Sequence, residues 1–176
     1  AGLGGGSSDG ANMLLLLNEL FRFKLSEEKL ARYALQLGSD CPFFIYNRPM
    51  YATGRGEVFE KIPEVLENYF ICIVKPPFSI STAEAYQLVK PKNVNESLRT
   101  LLMLPIKQWK EVVINDFEIA LEEKFPEINL IKKKFYEAGA AFSLMSGSGS
   151  SVYGIFEKEA DAKKIFPDFE CWSGKL

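Results

Sequence analysis

Apolar positions run almost without interruption around the first long segment of the chain. Between Asn12 and Phe23, the residues Met13, Leu14, Leu15, Leu16, Leu17, Leu20 and Phe21 leave little polar face, which predicts a helix buried on several sides. A second helix is predicted behind Ser26 as N-cap, with Leu30, Ala34 and Leu37 recurring on one face and Gly38 stopping it. GSDCPFFIY then reads as a turn, Ser39 to Pro42, followed by a hydrophobic segment, and MYATGRGEVFEKIP as a hairpin broken at Gly54 and Gly56. Pro63 to Asn68 has the composition of a linker.

From Tyr69 the pattern changes. YFICIVKP is a β-branched and aromatic run of the kind buried on both sheet faces, ended by Pro76 and Pro77. Helices are expected at Thr82 to Val89, through Glu96 to Lys124, and from Glu127, where Ile128, Ile131, Phe135 and Ala138 share one face and leave most of the Lys132, Lys133, Lys134 cluster facing water. Two strands, AFSLMSG and SVYGIFE, flank Gly147 to Ser150, and a helix (Glu159 to Phe166) and an extended stretch (Phe169 to Trp172) close the chain. Strands interleaved with helices, two of them joined by a tight turn, predict an α+β sandwich from about residue 68 onward.

Composition narrows the function classes. The 176 residues are 47% hydrophobic with a formal charge of −2, enough for a substantial core in one large or two small domains. No apolar run reaches the ~20 residues that span a bilayer, and the start lacks the order of a signal peptide, so the expectation is a cytoplasmic protein without membrane contact. A pI near 5.4 argues against a nucleic-acid surface. Cys41, Cys72 and Cys171 are scattered without a C-x-x-C pair and read as free thiols. Histidine is absent, which excludes Ser-His-Asp, Cys-His and histidine-metal chemistry for this polypeptide. The chain starts with alanine, and the expectation is a fragment.

Candidate chemistry sits in two glycine-serine clusters. AGLGGGSSDGA opens onto the first helix, and such a loop presents backbone N–H groups to an anion because glycine accepts positive φ and has no Cβ to block close approach. Neither a P-loop nor a dinucleotide fingerprint fits, since Gly6 is followed by Ser7, Ser8 and Asp9. A flexible glycine-serine tail explains the same stretch. MSGSGSSVYG, far downstream, reads equally as a hairpin turn. Together the two clusters suit the flanks of one polyphosphate.

GLGGGSSDGA, GSDCPFF, YATGRGE, PPFSISTAEAY, NDFE with KFPEI, and SLMSGSGSSVYGIF occur in an order that resembles the GHMP kinases over essentially the whole chain. The resemblance implies an α+β fold: part of an N-terminal domain like the second domain of ribosomal protein S5 (residues 1–62) and a ferredoxin-like C-terminal domain (68–176). It implies ATP and Mg2+ as cofactors, with no protein metal ligands assigned. Among family members the motifs are most similar to those acting on 4-diphosphocytidyl-2-C-methyl-D-erythritol, phosphorylated at its 2-hydroxyl in the non-mevalonate isoprenoid pathway.

Matched to the family's motifs, Gly2, Leu3, Gly4, Gly5, Gly6, Ser7 and Ser8 form the phosphate loop, with Asp9 a polar position after it. Ser146 to Ser151 match a glycine turn that approaches it, with Ser146, Gly147, Ser148 and Gly149 at the ATP, and Asp40 matches the catalytic aspartate. Tyr86 would stack on cytosine, with Thr82 in the same substrate-facing segment, and Asn115 and Asp116 read as a helix cap. Asp40 alone would read as a helix-entry cap, and Tyr86 as a core aromatic. The family's N-terminal motif, with its lysine and histidine, is not found here, so the expectation is no kinase activity from this polypeptide alone, and dimerisation or aggregation through exposed helix faces between Asn12 and Leu37. Two further readings stand beside this one: a homoserine or mevalonate-pathway GHMP kinase, and a non-catalytic nucleotide-binding or assembly module.

Overall fold

The computed structural model describes residues 2–90 and 96–176. It divides into two compact units, one from Gly4 to Glu64 and the other from Val65 to Leu176 with Gly2 and Leu3 attached to it.

The first unit is three helices and a hairpin. α1 spans Gly5–Leu20, α2 Glu27–Leu37 and α3 Cys41–Tyr46; β1 (Met50–Thr53) and β2 (Val58–Lys61) pair antiparallel. α1 starts at Gly5 rather than at Asn12, the first correction to the sequence reading. Gly4 sits in the left-handed region (φ 64) and turns the chain into the helix, and the Ser8 N–H already donates to the Gly4 carbonyl at 2.9 Å. Each glycine there disfavours helix by only ~1 kcal/mol, and extending a helix is easier than nucleating one, so the leucine-rich turns carry it back through the glycines. The second correction concerns burial. Only Ala11 of α1 is fully buried, whereas Met13, Leu16 and Leu20 are 54%, 54% and 66% exposed. α2 follows expectation at its start, where Ser26 Oγ accepts the Lys29 N–H at 3.3 Å, and buries Leu30, Ala31 and Ala34 against Ala11, Cys41 and Ile45, while Leu37 stays exposed. A two-pronged ion pair from Arg48 to Glu27 (2.7 and 3.3 Å) ties the segment after α3 to the head of α2.

In the second unit, β3 (Phe70–Lys75) is followed by α4 (Thr82–Leu88), α5 (Leu98–Leu101), α6 (Ile106–Val112), α7 (Asp116–Leu121) and α8 (Glu127–Glu137), then β4 (Phe142–Met145), β5 (Val152–Phe156), α9 (Ala162–Ile165) and β6 (Glu170–Lys175). The sheet is antiparallel in the order β4-β5-β3-β6, giving the α+β class. Side-chain alternation sorts its two faces. Cys72, Val74, Met145, Val152 and Phe156 meet Ile128, Ile131 and Phe135 of α8, while Phe142 and Ile155 meet Ile106 and Trp109 of α6. Gly154 sets how closely α8 can lie: a Cβ there would come within 2.7 Å of the Phe135 ring, so the missing side chain is the seat of that ring.

Two local expectations change and a third holds for most of its residues. Val65 and Leu66, in the stretch expected to be a linker, pack with the α6 cluster. The helix expected from Glu159 shortens to α9 behind Asp161, whose Oδ1 accepts the Lys163 N–H at 2.9 Å. Of the lysine cluster, Lys133 and Lys134 are exposed, as expected for most of it, while the Lys132 ammonium pairs with Glu118; the Lys134 ammonium lies 4.8 Å from the Phe166 ring centroid. No helix among the described residues is long and apolar enough to cross a membrane.

Candidate functional site

The two glycine-serine segments meet within the second unit. Gly2 adopts φ 81, and a Cβ on it would come within 2.8 Å of the Ser146 carbonyl oxygen and 3.0 Å of that of Gly149. Only glycine fits so close to two backbone oxygens in that conformation. Ser146 Oγ donates to the Gly2 carbonyl at 2.6 Å. The turn is closed by the Gly149 N–H donating to the Ser146 carbonyl (3.0 Å), and its base by the Ser146 N–H donating to the Ser151 carbonyl (2.8 Å). Gly147 and Gly149 both have positive φ (54 and 84), and a Cβ on Gly149 would strike Met145 Sδ and Ile80 Cδ1 at 2.7 and 2.8 Å. The N–H groups of Gly147 and Ser148, the central residues, take no part in these closing bonds.

Gly5, Gly6, Ser7 and Ser8, read from the sequence as loop, are the first turn of α1, and Leu3 is exposed ahead of it. A helix start leaves its leading N–H groups without intrahelical partners, and here no side chain caps them. A Cβ on Gly5 or Gly6 would meet nothing within 4 Å, so the protein's own packing does not demand glycine at either position. Ser8 Oγ accepts from Asn12 Nδ2 at 3.2 Å.

Asp40 occupies the position before α3 but does not cap it: its carboxylate makes no hydrogen bond to the helix N–H groups, and the residue is exposed. Its backbone carbonyl accepts the Phe43 N–H (3.2 Å), leaving the acid side chain outside the local hydrogen bonding. Within the same unit, a Cβ on Gly56 of the hairpin would come within 3.8 Å of Asp40 Oδ1. Thr82 and Tyr86 lie one helical turn apart on α4 and are both exposed. Tyr86, 65% exposed, is therefore not a core aromatic, and its ring meets Phe117 of α7 edge to face, with centroids 4.9 Å apart.

Sequence reasoning missed Glu118. It is buried at the first turn of α7, accepts the Met145 N–H at 2.9 Å and pairs with Lys132. Asn115 caps α7 as the sequence predicts, its Oδ1 accepting the Phe117 N–H at 3.0 Å, and its Nδ2 also donates to the carbonyls of Met145 (3.0 Å) and Gly147 (2.8 Å). The spacing of Asn115 and Glu118 puts both on one helix face, which was the available signal. Nearby, burial pushes the Tyr153 phenol up to about 12, with the Glu118 charge adding to it, and burial also raises Tyr136, whose Oη accepts the Ser143 N–H at 3.1 Å. No group of three or more acidic or thiol side chains suited to a metal ion comes together among the described residues.

Residues 1–48 match the family described as GHMP kinases N terminal domain, and residues 96–171 the one described as GHMP kinases C terminal. The chain is 45% identical to a 4-diphosphocytidyl-2-C-methyl-D-erythritol kinase of Parabacteroides distasonis, covering 100% of this chain and 66% of that protein. It is 50% identical to the one from Bacteroides thetaiotaomicron, covering 100% of this chain and 65% of that protein. It thus spans just under two thirds of the length of these relatives. A crystal structure of a 4-(cytidine 5'-diphospho)-2C-methyl-D-erythritol kinase superposes with a TM-score of 0.75 at 28% identity, covering 99% of this chain and 65% of that one. A homoserine kinase structure from Cytophaga hutchinsonii shares the fold at a TM-score of 0.58 and 20% identity, covering 90% of this chain and 60% of that one. With the two halves of one family matched in order and relatives this similar along its full length, the chain belongs to the GHMP kinase family.

Proposed function

We propose that this chain carries the nucleotide-binding and acceptor-facing parts of a kinase that moves the γ-phosphoryl group of ATP to the 2-hydroxyl of 4-diphosphocytidyl-2-C-methyl-D-erythritol. The observation that carries the proposal is the contact of Gly2 with Ser146 and Gly149: segments from opposite ends of the sequence converge, each with glycine in a conformation that bares backbone. The open space at Gly5 and Gly6 supports the same reading, because a close-lying ligand accounts for glycines that packing does not require. Residues 1–62 are assigned to the N-terminal domain of the family and 68–176 to the C-terminal one.

In this reading, the Gly2 to Ser8 segment and the Ser146 to Gly149 turn hold the phosphates of ATP through backbone N–H groups. Mg2+ would accompany ATP and, when bound, would offset phosphate charge; no side chain of this chain is assigned as its ligand. Asp40 orients the acceptor hydroxyl or takes its proton, a role suited to an exposed carboxylate that local hydrogen bonds do not consume. Tyr86, backed by Phe117, stacks on cytosine, and Thr82 faces the same ligand. The protein works in the cytoplasm, and the exposed stripe of α1 pairs with a second copy as a homodimer.

Calorimetry on the chain with MgATP, cytidine diphosphate compounds, homoserine and mevalonate tests the binding half. Binding of ATP and the cytidine compounds is expected, with Tyr86→Ala weakening only the latter by about 1–3 kcal/mol. Preference for homoserine or mevalonate would move the chain to another branch of the family. The transfer half is tested in a chimera in which these residues replace the matching part of the Bacteroides thetaiotaomicron relative. Phosphate from ATP should reach the cytidyl acceptor, and Asp40→Asn should lower the rate by roughly 10²–10⁴ with nucleotide affinity unchanged.

A further inference from the structure

We propose that Asn115 and Glu118 are positioning residues: one face of α7 sets the direction in which the Ser146 to Gly149 turn presents its N–H groups. This deepens the function proposed above, since it rests on that turn holding phosphate. The backbone on entry to the turn is held at three atoms. Asn115 Nδ2 donates to the Met145 carbonyl (3.0 Å) and to the Gly147 carbonyl (2.8 Å), and Glu118 Oε2 accepts the Met145 N–H (2.9 Å).

The energetics favour a fixed geometry rather than a loose one. A buried carboxylate is costly unless both oxygens have partners, and Glu118 has them: Met145 N–H on one and Lys132 on the other. Lys132 thereby holds Glu118, and Glu118 holds the strand end. Asn115 is fixed in its turn, because its Oδ1 is committed to the Phe117 N–H (3.0 Å) and its amide can point only toward the carbonyls. Gly147 and Gly149 have positive φ, a backbone with little stiffness of its own, so side chains from outside the turn must define it. The remaining contact, Ser146 Oγ to the Gly2 carbonyl, then joins a segment already oriented.

α7 holds more than the turn. Phe117, between the two positioning residues, supports the exposed Tyr86 ring edge to face at 4.9 Å. A helix of six residues thus supports both the turn assigned to phosphate and the aromatic assigned to the base.

The test separates capping from positioning. Asn115→Ser keeps a good N-cap but lacks the amide that reaches the two carbonyls, and Glu118→Gln keeps shape while losing the charge that Lys132 holds. Titrate the full chain and each variant with inorganic triphosphate, ATP and adenosine, and follow amide exchange by NMR at Met145, at Gly149, whose N–H closes the turn, and, as a reference in the sheet, at Gly154. Triphosphate and ATP affinity should fall by about tenfold in each variant while adenosine affinity holds, and exchange should quicken at Met145 and Gly149 but not at Gly154. A merely structural role would weaken adenosine and ATP alike or quicken exchange at all three amides, and either result overturns the proposal. If the unmodified chain binds no triphosphate, the phosphate reading of the turn falls. Exchange then still decides the positioning claim, since unchanged rates at Met145 and Gly149 would overturn it.

Discussion

α1 is sixteen residues long and fully buries one of them, Ala11, whereas α8 is eleven residues long and buries Ile128, Ile131 and Phe135. The two helices differ less in how many apolar residues they carry than in how these are arranged. α8 gathers Ile128, Ile131 and Phe135 into one stripe, which a sheet with an indentation at Gly154 can receive, and leaves Leu130 and Lys133 on its open side. α1 spreads leucine around its whole circumference, so α2 and α3 cover one side and Met13, Leu16, Leu17 and Leu20 remain on the surface. Apolar content therefore does not measure burial; a face matched to a partner does.

The sharpest way to break this comparison is to truncate one side chain from each helix. Phe135→Ala removes a ring that touches Phe156 and Phe166 and should cost about 3–5 kcal/mol in urea unfolding. Leu16→Ala, at a site 54% exposed, should cost less than ~1 kcal/mol. Equal losses would mean that the exposed face of α1 is packed after all.

A second substitution sharpens the α8 side. Gly154→Ala puts a methyl group within 2.7 Å of the Phe135 ring and is expected to destabilise by ~1–3 kcal/mol. Phe135→Leu in the same chain should return much of that loss, because the two changes share one space. Additive losses would show that the ring is not what the glycine accommodates.

The sheet also gives the second unit a pH response. Tyr153 holds its proton up to about 12 in the folded protein because burial disfavours the phenolate, while in the unfolded chain it ionises near 10. Its folded value is raised, so its contribution is whole below pH 10 and is lost as pH rises through 12. Stability should fall by on the order of 1–3 kcal/mol across that window, and Tyr153→Phe should flatten the fall. An unchanged slope in the variant would assign the effect elsewhere.

How much of this was legible beforehand differs between the units and between kinds of residue. The strand at YFICIVKP, the two-strand hairpin around Gly147 to Ser150 and the cap at Ser26 were readable because each is written in local periodicity or turn chemistry. The start of α1 was not, since glycine and serine argue for loop locally and the leucines beyond them win cooperatively. In the candidate site, the glycines at 2 and 149 stood out by composition, but the shared helix face of Asn115 and Glu118 does not by itself announce that Glu118 is buried. Its burial depends on Lys132 from the next helix and a backbone N–H from a distant strand. Long-range partners of that kind are what a single sequence leaves unwritten.

The smallest effect on stability is expected where the comparison is most exposed to challenge. Leu16 and Leu20 lie one turn apart on the open side of α1, 54% and 66% accessible, with Met13 a further turn back. Replacing both leucines by lysine removes apolar surface that already meets water, so unfolding free energy should change by no more than ~0.5 kcal/mol per site. What should change is association, because a stripe of this kind lowers its free energy by meeting a second copy. Sedimentation velocity over a concentration series should show the unsubstituted chain forming dimers or larger species and the double variant remaining monomeric. If lysine instead unfolds the first unit, the stripe is part of its core and the contrast with α8 fails. If the unsubstituted chain is monomeric at every concentration, the stripe drives no self-association and the homodimer assigned to it falls, while the near-zero stability cost still stands as the mark of an unpacked face.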